Sequence, residues 1–384
     1  MSAGGLDKSV VMATDCRYWR ADRPCAFHKK EGVECECHHY DKVAERVLVI
    51  KLDAMGDVLR STCVLPWIRQ RFRAAWVEWV TRPESVPLLN GNALVDCVIP
   101  HGPDALLALA VSRYDWVVNL DAGRTSCELA TLAIGVQKTG FVLDGNGWIV
   151  PSNAAARAWL ALGVSDRLKR ENARTYQDLM AEILDVPGAP VRYVFELRRE
   201  EIAEGERKLR ALGWMAGRPT LGLATGAGGR WRLKQWREEA FAELIEQASR
   251  AWPGLQIVLL GGPEERGRNR KLKAAYPSMI DPGCENGVRQ FGALIRSCDV
   301  VVTGDTLAMH LSLAQGRRTI VLFGPTSHHE IDLFGLGQKL YPDMDCLCCY
   351  LATCDKSPNC MQEIRTSRVL AAVEHELLMA GAEV

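Results

Sequence analysis

The chain has 384 residues, 48% of them hydrophobic, with 47 basic against 47 acidic side chains, which is enough for two α/β domains and an appendage. A balanced charge supplies no overall field to hold nucleic acid or an anionic membrane, so no nucleic-acid partner is expected. No leader pattern opens the sequence and no apolar run approaches about 18 residues, so the expected location is the cytosol, with peripheral membrane contact at most.

Fourteen cysteines would be unusual as disulfides in a reducing cytosol. Nine of them fall within 16–37 and 346–360, a clustering typical of metal ligands. The other five, Cys63, Cys97, Cys127, Cys284 and Cys298, read as core thiols.

Residues 1–45 lack strand or helix periodicity and read as an appendage. Cys16, Cys25, Cys35 and Cys37, with His28, His38 and His39, suit a structural zinc or iron site; a solvated tail is the other reading. Arg17, Arg20, Arg23, Lys29 and Lys30 interleave with Tyr18, Trp19 and Phe27 as in a nucleic-acid module, but the spacing is irregular.

Arg46–Leu52 is a β-branched run ending in Asp53-Ala-Met-Gly-Asp57 and leading into a helical pattern from Val58. Strands follow at 76–80, 94–99 and 116–120, and 151–215 is mainly helical. The charged segment 196–210 carries the chain onward, which places a boundary near 195. The rhythm restarts at 220–224, 256–260, 300–302 and 319–323, with a helix from about Glu238. Strands alternating with helices imply parallel sheets covered on both faces, and ligands bind at the carboxyl ends of such strands. The expected division is an appendage at 1–45 and Rossmann-like domains at 46–195 and 196–384.

Four segments carry candidate chemistry. At Thr303–His310 a hydroxyl and an acid open a helix whose N–H groups can hold phosphate; helix capping by Asp305 or Thr306 is the alternative. Thr225–Trp236 is a glycine-rich loop with Arg230, Arg232 and Lys234 to neutralise phosphate, or an ordinary solvated loop. Gly261-Gly-Pro-Glu-Glu265 offers a carboxylate to ribose hydroxyls, or a solvated helix start. Asp57 can take a proton from an attacking hydroxyl, or cap the helix beside it.

In this order the motifs resemble glycosyltransferase family 9, the ADP-heptose heptosyltransferases, across about residues 46–370. Lys51–Val58 resembles its "GDV" loop, and Gly226-Ala-Gly-Gly with Lys234 and Trp236 its "pGA…K-x-W" segment. Gly261–Glu265 is similar to "GG…E". Asp305, Thr306 and His310, with Leu322–Thr326, are similar to "DTG…H…FGPT".

The resemblance implies a GT-B fold, with an acceptor domain followed by a nucleotide-sugar domain. It implies inverting transfer from ADP-heptose to a glycan, lipid-linked or protein acceptor, without a catalytic metal, at the inner face of the inner membrane. By it, Asp57 is the general base and Lys234 neutralises the leaving phosphate. Gly226, Asp305, Thr306 and His310 hold the diphosphate and sugar, and Glu265, ahead of Glu264, meets the nucleoside. Fixed cations and helix N–H groups are suited to stabilising a departing diphosphate.

Leu307 replaces the usual glycine of "DTG", so the donor could carry another sugar. Cys346, Cys349, Cys354 and Cys360, with Cys348 spare, fit a tetrahedral zinc or iron site like that of the autotransporter heptosyltransferases, with free loop thiols as the alternative. A transferase using another nucleotide sugar and a non-catalytic metal-bound scaffold are the alternatives on function. An oligomer is compatible with all of these.

Overall fold

The computed structural model describes residues 11–186, 191–229 and 231–381. Two sheets dominate it. The first runs β3-β2-β1-β4-β5-β6, formed by β1 (Arg46–Ile50), β2 (Trp76–Thr81), β3 (Cys97–Pro100), β4 (Arg113–Asn119), β5 (Ile134–Leu143) and β6 (Ile149–Pro151). All its pairings are parallel except β5 with β6. The second is fully parallel and runs β11-β10-β9-β7-β8, from β7 (Thr220–Ala224), β8 (Gln256–Leu260), β9 (Val300–Gly304), β10 (Arg318–Leu322) and β11 (Gly337–Leu340).

The β-branched and leucine runs become strands because both faces of each sheet are covered. Val47 and Val49 enter one apolar cluster while Leu48 and Ile50 enter another, as a two-residue side-chain period demands. In the second sheet Ile257 and Leu259 face one cluster and Val258 and Leu260 the other. One cluster is shared between the sheets. It runs from Val49 and Trp79 through Tyr193, Phe195 and Leu209 to Met309 and Val321.

Residues 196–215 belong with the second sheet. The Arg199–Arg210 helix lies so close to the Val288–Arg296 helix that a Cβ at Gly205 would stand 2.8 Å from that of Ala293. The Thr366–Met379 helix closes this half against the Glu238–Ala251 helix, which starts where its pattern predicts.

Several boundaries differ from expectation. Strand β3 begins at Cys97, because the Leu94 N–H donates to the Asn92 side chain at 2.9 Å and turns the preceding residues away. Strands β5, β6 and β11 were not expected; Gly135 and Gly140 interrupt the apolar pattern of β5, and β11 is only four residues long. The helix after β1 spans Met55–Ser61 with Ala54 as N-cap, so Asp57 lies inside its first turn and is not the cap.

The appendage is sparsely structured, as expected, but contains a short helix, Ala26–Glu31. Arg17 pins it to the first sheet by donating to the Ala75 carbonyl at 3.0 Å and to Asp96, and is itself held within the appendage by Asp41 at 2.8 Å.

Candidate active site

The carboxyl ends of both sheets face a cleft of about 890 Å³. Asp57 and Arg60 line one wall. Gly226, Lys234, Glu265, Asp305, Thr306, Leu307 and His310 line the other, with Thr326, Glu330 and Tyr350 beside them. Asp57, Gly226, Lys234, Glu265, Asp305, Thr306 and His310 are therefore brought together, whereas Arg232 and Glu264 do not line the cleft and Arg230 lies outside the described residues.

On the first wall, a tight loop after β1 feeds the Met55–Ser61 helix. Arg60, one turn on, donates to Asp57 at 2.8 Å and fixes the direction of that carboxylate, which is 33% exposed. Burial opposes the Arg60 charge, but Asp57 leads the groups that more than restore it. Arg60 also lies over the Tyr176 ring at 4.1 Å and within 3.9 Å of Glu330. Behind the loop, buried Lys51 pairs with Asp121, and the Asp121 carboxylate accepts the Leu52 and Asp53 N–H groups. That network holds the strand end rigid.

On the second wall, Lys234 sits after the glycine-rich loop and donates to Asp305 Oδ2 at 2.7 Å and to the Asp305 carbonyl at 3.2 Å. Thr326 donates to the same Oδ2 at 2.8 Å. Burial pushes the Asp305 carboxyl up, and the Lys234 ammonium more than reverses this, holding it below its ordinary value. Thr306 caps the Leu307–Ala314 helix by accepting from the Ala308 N–H at 3.2 Å, so capping is realised at a helix start that faces the cleft.

His310 is buried on that helix. Burial, reinforced by the Arg60 charge, lowers its imidazole to about 4, and its Nδ1 has no hydrogen-bond partner. A Cβ at Gly56 would stand 2.9 Å from His310 Cδ2, so the glycine of the first-domain loop permits contact between the two walls.

Glu265 is tied into the backbone of its own wall. One carboxylate oxygen accepts from the Gly228 N–H at 3.2 Å and the other from the Gly262 N–H at 2.9 Å. A Cβ at Gly226 would lie 2.0 Å from this carboxylate, so the loop can pass only as glycine.

This arrangement of motifs on two facing sheets agrees with a direct comparison. The family model for glycosyltransferase family 9 (heptosyltransferase) matches residues 108–346. The chain belongs to glycosyltransferase family 9. It is 30% identical to lipopolysaccharide heptosyltransferase 2 of Salmonella typhimurium over 73% of this chain and 83% of that one. Among solved structures it resembles a family 9 glycosyl transferase from Veillonella parvula, with TM-score 0.66 and 18% identity over 88% of this chain and 98% of that one. It also resembles the E. coli ADP-heptose lps heptosyltransferase II, with TM-score 0.62 and 21% identity over 88% and 100%. The fold of this family 9 chain is therefore the GT-B architecture expected from its motifs.

Sequence reasoning missed Arg60, Glu330 and Tyr350. The signal available for Arg60 was its place one helical turn after Asp57. Glu330 follows two histidines in a loop and carries none; burial raises its carboxyl against the pull of Arg60. The Tyr350 hydroxyl accepts the Ser327 N–H at 3.1 Å and donates to the Glu330 carboxylate at 3.5 Å.

The cysteine sets are not gathered as mononuclear metal ligands. The described residues contain one group of three potential ligands with donor atoms within 4.8 Å of one another, and it is Glu31, His38 and His39. Cys346, Cys349, Cys354 and Cys360 share one loop, whose Tyr350 N–H donates to the Pro325 carbonyl at 2.8 Å and so braces the 324–327 turn of the cleft. Cys348, the spare, is buried. No described helix is long and apolar enough to cross a membrane.

Proposed function

We propose that this family 9 enzyme transfers a sugar, with heptose the leading assignment, from an ADP-linked donor to a glycan, lipid-linked or protein acceptor with inversion. The observation that carries this reading is the opposition, across one cleft, of the Asp57–Arg60 pair to the Lys234–Asp305 pair and the start of the Leu307–Ala314 helix. An acceptor hydroxyl beside Asp57 would pass its proton to the carboxylate as its oxygen bonds to the anomeric carbon from the face opposite the diphosphate. The bond to the diphosphate breaks as that bond forms.

Negative charge then grows on the departing phosphate. Lys234 spends two of its N–H donors on Asp305 and keeps one for a phosphate oxygen. The helix N–H groups add a fixed partial positive charge, so leaving-group stabilisation comes from groups oriented before reaction. The donor assignment rests on the ADP-heptose named for the E. coli neighbour. Leu307, where the family has glycine, lines the cleft and narrows the room beside the sugar. In the C-terminal loop, the four thiols have the chemistry of a structural zinc or iron site, and no catalytic step uses them.

A thermal-shift comparison of ADP, GDP, UDP and dTDP on the purified chain tests the donor, because a ligand that binds the folded state raises its melting temperature. Preferential stabilisation by ADP is expected. Preference for another nucleotide replaces the donor, and no shift with any of them rejects the transferase reading in favour of a scaffold.

A further inference from the structure

Residues 11–45 pose a folding problem. Ala13 is the one buried residue among them, and the Ala26–Glu31 helix buries none of its six. All four of their cysteines are free, so no disulfide closes the segment. A unit this small does not hold a single conformation on apolar burial; below about 40 residues a disulfide, a metal or a partner is usually required. Yet the segment has a defined path, with an antiparallel bridge between Cys16 and Lys42, a stacked Phe27–His39 pair at 3.8 Å and Tyr40 donating to Asp15 at 2.9 Å.

At its centre is a cavity of about 380 Å³, open on one side and lined by residues 11–40 alone. Cys16, Cys25, Cys35 and Cys37 all line it, together with His28 and His39. Its volume is about thirteen times the roughly 30 Å³ share of one water, so it has room for more than a single ion. One ring nitrogen of His28, Nδ1, lies 2.9 Å from the Val33 carbonyl. That contact is the outer hydrogen bond by which ligand histidines are usually oriented, and it leaves Nε2 as the free donor atom.

We propose that Cys16, Cys25, Cys35 and Cys37, which line this cavity without converging on one point, bind an iron–sulfur cluster, which supplies the folding energy that the apolar content of residues 11–45 does not. Each thiol gives up its proton on binding, and the metal–sulfur bonds replace the missing core. Arg17 anchors the appendage to Asp96 and the Ala75 carbonyl, at the amino ends of β2 and β3. The cleft lies at the opposite, carboxyl ends. The centre therefore stabilises the fold and does not take part in sugar transfer, and its test is independent of any transfer assay.

The full-length chain is purified without air and its zinc, iron and acid-labile sulfide are measured. In parallel, a variant with Cys346, Cys349, Cys354 and Cys360 each changed to Ser removes any contribution from the C-terminal loop. That variant should retain iron with acid-labile sulfide and lose both when Cys35→Ser and Cys37→Ser are added. Trypsin should then cut the doubly changed chain rapidly at Arg20, Lys29 and Lys30 and spare residues beyond 46. Iron with acid-labile sulfide, lost with Cys35 and Cys37, supports the cluster; zinc without sulfide overturns it. A folded C-terminal variant with neither metal overturns the proposal. If that variant does not fold, equal metal in the native chain and in a Cys35→Ser/Cys37→Ser variant overturns it equally.

Discussion

An imidazole buried with no partner for Nδ1 stays in place most cheaply as the neutral ring, and His310 is held that way, with its pKa lowered to about 4. The unfolded chain binds a proton near pH 6.5 and the folded chain does not until near 4. Stability from this residue is therefore complete above about pH 6.5 and is lost as pH falls toward 4. Urea melts at pH 7 and pH 5 should show His310→Gln losing less of its stability over that interval than the native chain, by an amount on the order of 1–3 kcal/mol. Asp57→Asn should lower turnover by about two to four orders of magnitude while leaving the ADP-induced thermal shift in place, because it removes the base and keeps the shape. Lys234→Ala should do the reverse in binding: the ADP shift shrinks, and turnover falls by about two orders of magnitude or more. Steady-state kinetics with the melt series separate the two.

At the scale of elements, the cleft depends on glycines that let loops touch. Gly226→Ala would drive a methyl into Glu265 and detach the carboxylate that anchors both the 226–229 and 261–262 turns. The expected result is a loss of about 1–3 kcal/mol in urea titration, together with a weaker ADP shift. Gly56→Ala presses on His310 from the other wall and should cost less, since a ring can shift by a few tenths of an ångström where a tied carboxylate cannot. Much of this was legible in the sequence. The strand-to-glycine transitions at 50–56, 224–229, 260–262 and 302–306 announced the ends of parallel strands, and the motif order supplied the fold. What was not legible came from distant partners: Arg60 meeting Glu330 and Tyr176 depends on three segments far apart in sequence. Strand β5 escaped because its outer residues, Val136 among them, face solvent on an edge region and break the buried-strand pattern. Asp57 reads as a possible cap because the helix begins three residues earlier than its apolar pattern does.

Across the whole molecule, Arg289 clasps the two halves. It donates to the Pro87 carbonyl at 3.0 Å and the Asn90 carbonyl at 2.9 Å on the first-sheet side, while both Glu201 oxygens accept from it at 2.6 Å on the second. These contacts hold the Glu201 carboxyl down at about 2. Arg289→Ala should cost about 1–3 kcal/mol and enlarge the radius of gyration in solution scattering, with ADP reversing part of the expansion. The apolar cluster shared by both sheets has a further consequence. A chain cut in the 186–196 connector would leave each half with an uncovered apolar face that its partner now hides. Calorimetry of the intact chain should accordingly record one endotherm with equal calorimetric and van't Hoff enthalpies. Two sheets by topology would then be one unit by thermodynamics, and neither half would be inherited or expressed profitably without the other.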